Sequence, residues 1–248
     1  MPNYPLSRDL YQRLFAEESN AFGDAYLKSR PDEMVPNCPE WNVAQLGAHI
    51  ASIYHRIAEL IRIVSLEPLD PKNFLSPTDP GEVLDHYREG AERLSVLFID
   101  LDPMMPIWTF TGIRPALFWM RRMTHETMVH AFDLEEIHPP LHDPKAPAIA
   151  DGIDEFFSAQ LPGKISRKHV PGLNGRLALT ATDSKDRWVI DLAPDRLDVV
   201  SENATADAEL TGTARDLLMY LWRRGFAPAL EKTGDLDLIM TYYRDVRL

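Results

Sequence analysis

One run constrains this chain more than any other: Arg121-Arg122-Met123-Thr124-His125-Glu126-Thr127-Met128-Val129-His130-Ala131-Phe132-Asp133. Pro115 stands where a first helical turn tolerates proline, and neither Pro nor Gly recurs before Pro139, so the spacing predicts one helix. At roughly 100° per residue, Arg122, Glu126, His130 and Asp133 share a narrow stripe. Glu126 and His130 are one helical turn apart and can reach a common point. Burying such groups is costly unless something pairs with them. A divalent cation is one partner; a buried polar seam that specifies helix packing is the other, and spacing leaves both open. The run also imitates the zinc-protease motif, but His125 and His130 point roughly 140° apart on a helix and cannot share a metal. A third ligand must come from elsewhere.

The second helix offers a candidate, His49, which is either that ligand or a core-edge histidine bonded to a backbone group. Asn42 with Gln45 fits a capping box, and Val43, Leu46, Ile50, Ile53, Ile57, Leu60 and Val64 form an apolar face. His49 lies at the edge of that face and looks into the seam between helices, whereas His55 points well away. A first helix is expected from residue 7 to about 29, capped by Ser7, with Tyr11, Phe15, Phe22 and Tyr26 inward. A third starts at Asp79-Pro80-Gly81-Glu82 and carries Val83, Ala91, Leu94 and Phe98. The segments 29–40, 66–78 and 102–112 read as loops, the last an apolar one that either lines a pocket mouth or, the preferred reading, plugs a bundle end. Four such helices make an antiparallel bundle, whose metal sites are built from facing helices.

Four prolines between His138 and Pro147 mark a linker. Beyond it Ile149 to Leu161 reads as a helix, followed by an irregular basic stretch (Lys164, Arg167, Lys168). Arg176–Ala181 and Arg187–Leu192 alternate as strands, with Leu197–Val200 and Ala208–Thr211 as further ones. A helix through Ala214 and Leu221 ends near Arg223-Arg224-Gly225, and Leu236–Tyr243 is a last short one. The fold class expected is an all-α four-helix bundle over 1–140 followed by a smaller α+β domain over 147–248.

The 248 residues suit one large or two ordinary domains, and a net charge of −12 argues against a nucleic-acid binder. Cys38 is the single cysteine, which excludes a disulfide framework and suits a reducing, cytoplasmic setting. It reads as a small buried residue, and Trp41 as a packing anchor. The opening Met-Pro-Asn-Tyr-Pro has no signal-peptide pattern, and no apolar run is long enough to span a membrane. Oligomeric state is not legible.

Two imidazoles and a carboxylate, His49, Glu126 and His130, describe a catalytic divalent site, zinc first, with non-haem iron as a second fit. Asp133 is placed to hold the second ring nitrogen of His130. Arg122 either binds an anionic substrate group or pairs with Glu126. Arg223 and Arg224 read either as anion binders or as ordinary helix C-terminal cations.

Two stretches carry a resemblance: Cys38-Pro39-Glu40-Trp41-Asn42-Val43-Ala44-Gln45-Leu46-Gly47-Ala48-His49, and Arg122 through Glu126 to His130 and Asp133. In order and separation they resemble the mycothiol-dependent maleylpyruvate isomerase-like proteins of actinobacteria. The resemblance implies a DinB-like metal-binding bundle, a C-terminal domain similar to sterol-carrier folds, and His49, Glu126 and His130 as ligands to zinc or nickel. It further implies mycothiol as co-substrate and a small electrophilic substrate, with Arg122, Arg223 or Arg224 stabilising enolate or carboxylate charge. Ala131 departs from the family, where a basic residue often follows the last ligand. A metal-dependent hydrolase and a non-catalytic carrier of an apolar ligand are the competing functions.

Overall fold

The computed structural model describes residues 5–139, 142–162, 170–224 and 229–246. They form two compact units, one spanning Leu6–Asp143 and the other running from Pro144 onward.

The first unit is a four-helix bundle: α1 (Arg8–Lys28), α2 (Val43–Arg62), α3 (Pro80–Asp100) and α4 (Leu117–Glu135). Each of the first three starts on a side-chain cap. Ser7 accepts from the backbone N–H of Leu10, Asn42 and Gln45 form a reciprocal capping box, and Asp79 accepts from Gly81 and Glu82. These satisfy amides that a helix N-terminus otherwise leaves without partners. α1 packs on α4 and α2 on α3, with further contacts from α1 to α3 and from α2 to α4. Tyr11, Phe15, Phe22, Leu46, Ile50, Tyr54, Ile57, Leu94 and Phe98 are fully buried in the shared core. Phe15 meets Tyr54 and Phe98 edge-on at 5.4 and 5.2 Å, an arrangement aromatic quadrupoles favour.

α4 is unusual in being buried around most of its circumference while carrying Arg121, Arg122, Thr124, His125, Thr127, His130, Asp133 and Glu135. Buried polar groups of this kind need internal partners. His125 and His130 go to different ones, as a five-residue separation requires. His125 lies edge-on to Tyr11, with ring centroids 6.3 Å apart, while His130 faces α2.

Two expected loops contain short hairpins. β1 (Met34–Val35) pairs with β2 (Cys38–Asn42), and β3 (Pro106–Thr109) with β4 (Gly112–Pro115). Pro115 therefore ends a strand, and α4 begins at Leu117 with no side-chain cap. The second hairpin is tied to the end of α2 and the start of α4: the Trp108 backbone N–H donates to the Ser65 carbonyl at 2.8 Å, and the Trp108 carbonyl accepts the Trp119 indole N–H at 2.7 Å. A 3-10 turn, Pro71–Phe74, interrupts the loop before α3. Val64 leaves the apolar face expected for it. It lies beyond the end of α2 with φ +51° and is exposed.

The second unit is α+β. α5 (Ala146–Glu155) runs into a π-helical turn at Phe156–Gln160. Five strands follow: β5 (Gly175–Ala181), β6 (Arg187–Ala193), β7 (Arg196–Val200), β8 (Ala208–Gly212) and β9 (Glu231–Gly234). Their order is β7-β6-β5-β8-β9, with β5 and β8 parallel and the other pairs antiparallel. Helices Ala214–Leu221 and Leu236–Asp245 pack on this sheet. β9 was not expected: Glu231-Lys232-Thr233-Gly234 is an edge strand without apolar alternation, and its pairing with β8 defines it. Lys164, Arg167, Lys168 and Gly225 fall outside the described residues.

Candidate metal centre

The capping box at Asn42 fixes where α2 begins, and so where His49 points two turns later. Across the seam, α4 presents Glu126 and His130 on one face. One ligand atom from each of His49, Glu126 and His130 falls within 4.8 Å of the other two. Glu126 Oε1 is 3.4 Å from His49 Nε2 and 3.6 Å from His130 Nε2. The two imidazole rings stand edge-on, centroids 5.4 Å apart. The His49 side chain keeps 33% of its surface exposed against 7% for His130, which leaves the group open to solvent along α2.

Two of the three ligands are held from behind. His130 Nδ1 is 2.9 Å from Asp133 Oδ2, and Asp133 is fully buried. This bond turns Nε2 toward Glu126, the usual way a protein orients an imidazole ligand. Arg122, one turn before Glu126, donates from Nη2 to Glu126 Oε2 and leaves Oε1 toward the histidines. Of the two roles open to Arg122 in the sequence, pairing with Glu126 is the one seen. Burial opposes charge on Glu126, but Arg122, His130 and His49 outweigh it and hold the carboxylate well below its ordinary range. Burial likewise opposes a proton on His130, yet Asp133 and Glu126 raise its pKa. A pocket that stabilises a second positive charge on a buried imidazole is electrostatically suited to a divalent cation. Two imidazoles and one carboxylate are also the donor set of open divalent sites, so the residues fit such an ion.

β2 contributes two residues whose position the sequence did not reveal. The Cys38 thiol is buried and donates to Asp133 Oδ2 at 3.5 Å, the same oxygen that holds His130. The Trp41 ring lies 4.7 Å from the His49 ring and 6.4 Å from that of His130. Cys38 is thus the small buried residue expected, but it extends the chain of contacts behind the centre. Trp41 anchors the helix entry and also walls the site. No local signal could have shown this, because Cys38 and Asp133 are 95 positions apart.

A second group, His55, His86 and Glu89, also has ligand atoms within 4.8 Å. There the two rings are stacked, 3.8 Å apart and 5° from parallel, and His55 Nε2 bonds to the His86 carbonyl at 2.9 Å. Nitrogens on parallel stacked rings point side by side, so this contact packs α2 on α3 and does not gather ligands. His55 is buried there, away from His49 and Glu126.

Arg223 and Arg224 belong to the other unit. Arg223 has φ +62° at the end of helix Ala214–Leu221. Its guanidinium donates to the carbonyls of Tyr220, Leu221, Tyr242 and Val246 and lies within 5.8 Å of the Tyr220, Tyr242 and Tyr243 ring centroids. Arg224 donates to the Trp222 carbonyl and lies 5.8 Å from that ring.

Residues 13–135 match the family model described as the mycothiol maleylpyruvate isomerase N-terminal domain. Two solved structures are similar over most of the chain. One is the crystal structure of the mycothiol-dependent maleylpyruvate isomerase, 14% identical with a TM-score of 0.66, covering 92% of this chain and 93% of that one. The other is a point mutant of the same enzyme, at 14% identity, TM-score 0.65 and the same coverage. At that identity the likeness speaks for the fold. No curated protein sequence matches the chain.

Proposed function

We propose that this chain, whose N-terminal unit belongs to the mycothiol maleylpyruvate isomerase N-terminal domain family, is a metal- and thiol-dependent enzyme that isomerises or transfers onto a small electrophile. The observation that supports this best is the convergence of His49, Glu126 and His130 at an open cleft, with Asp133 and Arg122 fixing two of the three from behind. His49, Glu126 and His130 would hold the cation, zinc ahead of nickel or iron. When bound, that cation supplies the positive charge that keeps a small thiol ionised near neutral pH.

The residues divide the remaining work. Asp133 keeps the His130 Nδ1 proton in place, so that Nε2 stays available as a ligand atom. Arg122 neutralises one oxygen of Glu126 and fixes its rotamer. Trp41 narrows the approach beside His49 and excludes water from that side. The thiolate, mycothiol by family, adds to one carbon of a carbonyl-activated cis double bond and leaves an enolate. Rotation about the new single bond and expulsion of the same thiolate return the trans alkene, with no net change in atoms. The enolate needs a cation near it, and of the arginines the sequence offers for this role Arg122 is the one that touches the centre in this unit.

The test is turnover of a cis-configured electrophile such as maleylpyruvate by metal-loaded protein, with and without mycothiol. Turnover only with the thiol is the expected result. Consumption of the electrophile without any thiol would instead indicate a hydrolase using activated water.

A further inference from the structure

Beside the candidate centre, a cavity of ≈ 570 Å³ runs along α2, and its walls include Trp41, His49, Ile53, Arg56, Leu75 and Thr78. This is the size of an ordinary small-molecule pocket. Arg56 follows His49 by two helical turns, so both side chains leave α2 on the same side. One wall is apolar, from Trp41, Ile53 and Leu75. Arg56 is the cation in the lining.

Arg56 is half-buried, yet its guanidinium makes no hydrogen bond or ion pair with any described residue. Arg93, also partly buried, reaches Glu59 at 3.2 Å, and the fully buried Arg122 is paired with Glu126. Burial pushes the Arg56 pKa down, and only the field of Glu126 opposes this. A guanidinium has five donors in a fixed fork and no acceptor, so partial removal from water without a carboxylate is costly. The cost is recovered when an anion arrives, because bidentate carboxylate pairing is among the strongest polar contacts a side chain makes. Arg122 cannot take that part without releasing Glu126. The chain as a whole is acidic, at −12, so a cationic lining here is local and not a spill-over from general charge.

We propose that Arg56 is the anion anchor of this cleft, receiving a carboxylate of the small electrophile while its reactive carbon lies toward His49. The catalytic consequence rests on the metal- and thiol-dependent reading above; the anion site itself does not. The apolar wall would then cover the carbon skeleton, and the substrate class narrows to electrophiles that carry a carboxylate.

Calorimetric titration of the full chain, Arg56→Lys and Arg56→Gln with maleate and with its uncharged diamide tests the anchor, alongside thermal midpoints and metal content for each. Maleate affinity is expected to fall at least tenfold in Arg56→Gln and to be partly retained in Arg56→Lys, with diamide binding alike in all three. Equal maleate affinity in native protein and Arg56→Gln, or no maleate binding by native protein, overturns the proposal. Titration with N-acetylcysteine and its amide separates the source of the carboxylate. If the thiol's carboxylate, and not maleate, is what Arg56→Gln loses, the assignment to the electrophile is wrong. Thiol-dependent turnover with unchanged maleate affinity in Arg56→Gln would sink the anchor and leave the catalytic reading intact. Arg56-dependent maleate binding in a protein without thiol-dependent turnover would do the reverse.

Discussion

Asp133 Oδ2 accepts from two directions, His130 Nδ1 at 2.9 Å and Cys38 Sγ at 3.5 Å. The first contact was legible in the sequence, because a carboxylate three residues after a histidine on one helix lies within its reach. The second was not, because it crosses from β2. The two differ in expected weight. Asp133→Asn removes the charge that orients the imidazole and should weaken metal affinity about 10- to 100-fold, measured by competition with a zinc chelator. Cys38→Ala should cost less, and Cys38→Ser should restore most of the loss because a hydroxyl donates to the same oxygen. Equal affinities in native protein and Asp133→Asn would remove Asp133 from the account. Arg56 was equally hidden: in the sequence it is one of two arginines on an amphipathic helix, and only the cavity and the lack of a partner single it out.

Among the elements, α2 does most to set the site, and its start was readable because a capping box is a local chemical pattern. Asn42→Ala removes the side chain that accepts from the Gln45 N–H and should cost about 1 kcal/mol. A lower urea midpoint with unchanged slope would register it. Because His49 lies two turns beyond the cap, weaker metal affinity should accompany the loss. The helices were legible because long apolar stripes of period 3.6 are strong signals. The hairpins were not. β3 and β4 are four residues each, contain Pro106 and Pro115, and gain their identity from pairing Ile107 with Arg114 and Trp108 with Ile113. β9 failed for the same reason, being polar and at an edge. Strand character in such segments is conferred by the partner, which local propensity cannot see. The left-handed Arg223 at the end of helix Ala214–Leu221 was also unreadable, since glycine at 225 was the local stop signal and the turn comes two residues earlier.

At the scale of the whole bundle, His142 closes the Leu6–Asp143 unit. Its ring bridges Glu135 of α4 at 2.7 Å and Glu18 of α1 at 2.8 Å, tying the segment after α4 to both helices. Both carboxylates are buried, at 8% and 1% side-chain exposure. Burial disfavours the charged imidazole, but Glu135 and Glu18 prevail and raise its pKa from 6.5 to about 9. A folded-state pKa above the unfolded one adds stability that is fully present below pH 6.5 and is lost as pH rises through about 9. Thermal midpoints of the native protein should therefore fall between pH 6.5 and 9, and His142→Gln should start lower and show a flatter profile over that window. An identical slope in both proteins would assign the pH dependence elsewhere.

Whether one cation is held by groups from two helices is read from metal analysis of the purified chain. Purified protein supplied with zinc would be compared with His49→Ala, Glu126→Ala, His130→Ala, and with His55→Ala and His125→Ala, whose rings lie in other contacts. About one metal per chain is expected in the native protein, retained in the last two variants and lost in the first three. Stoichiometric metal in all three ligand variants, or none in the native protein, would contradict it and return Arg122, Glu126, His130 and Asp133 to the role of a buried polar seam.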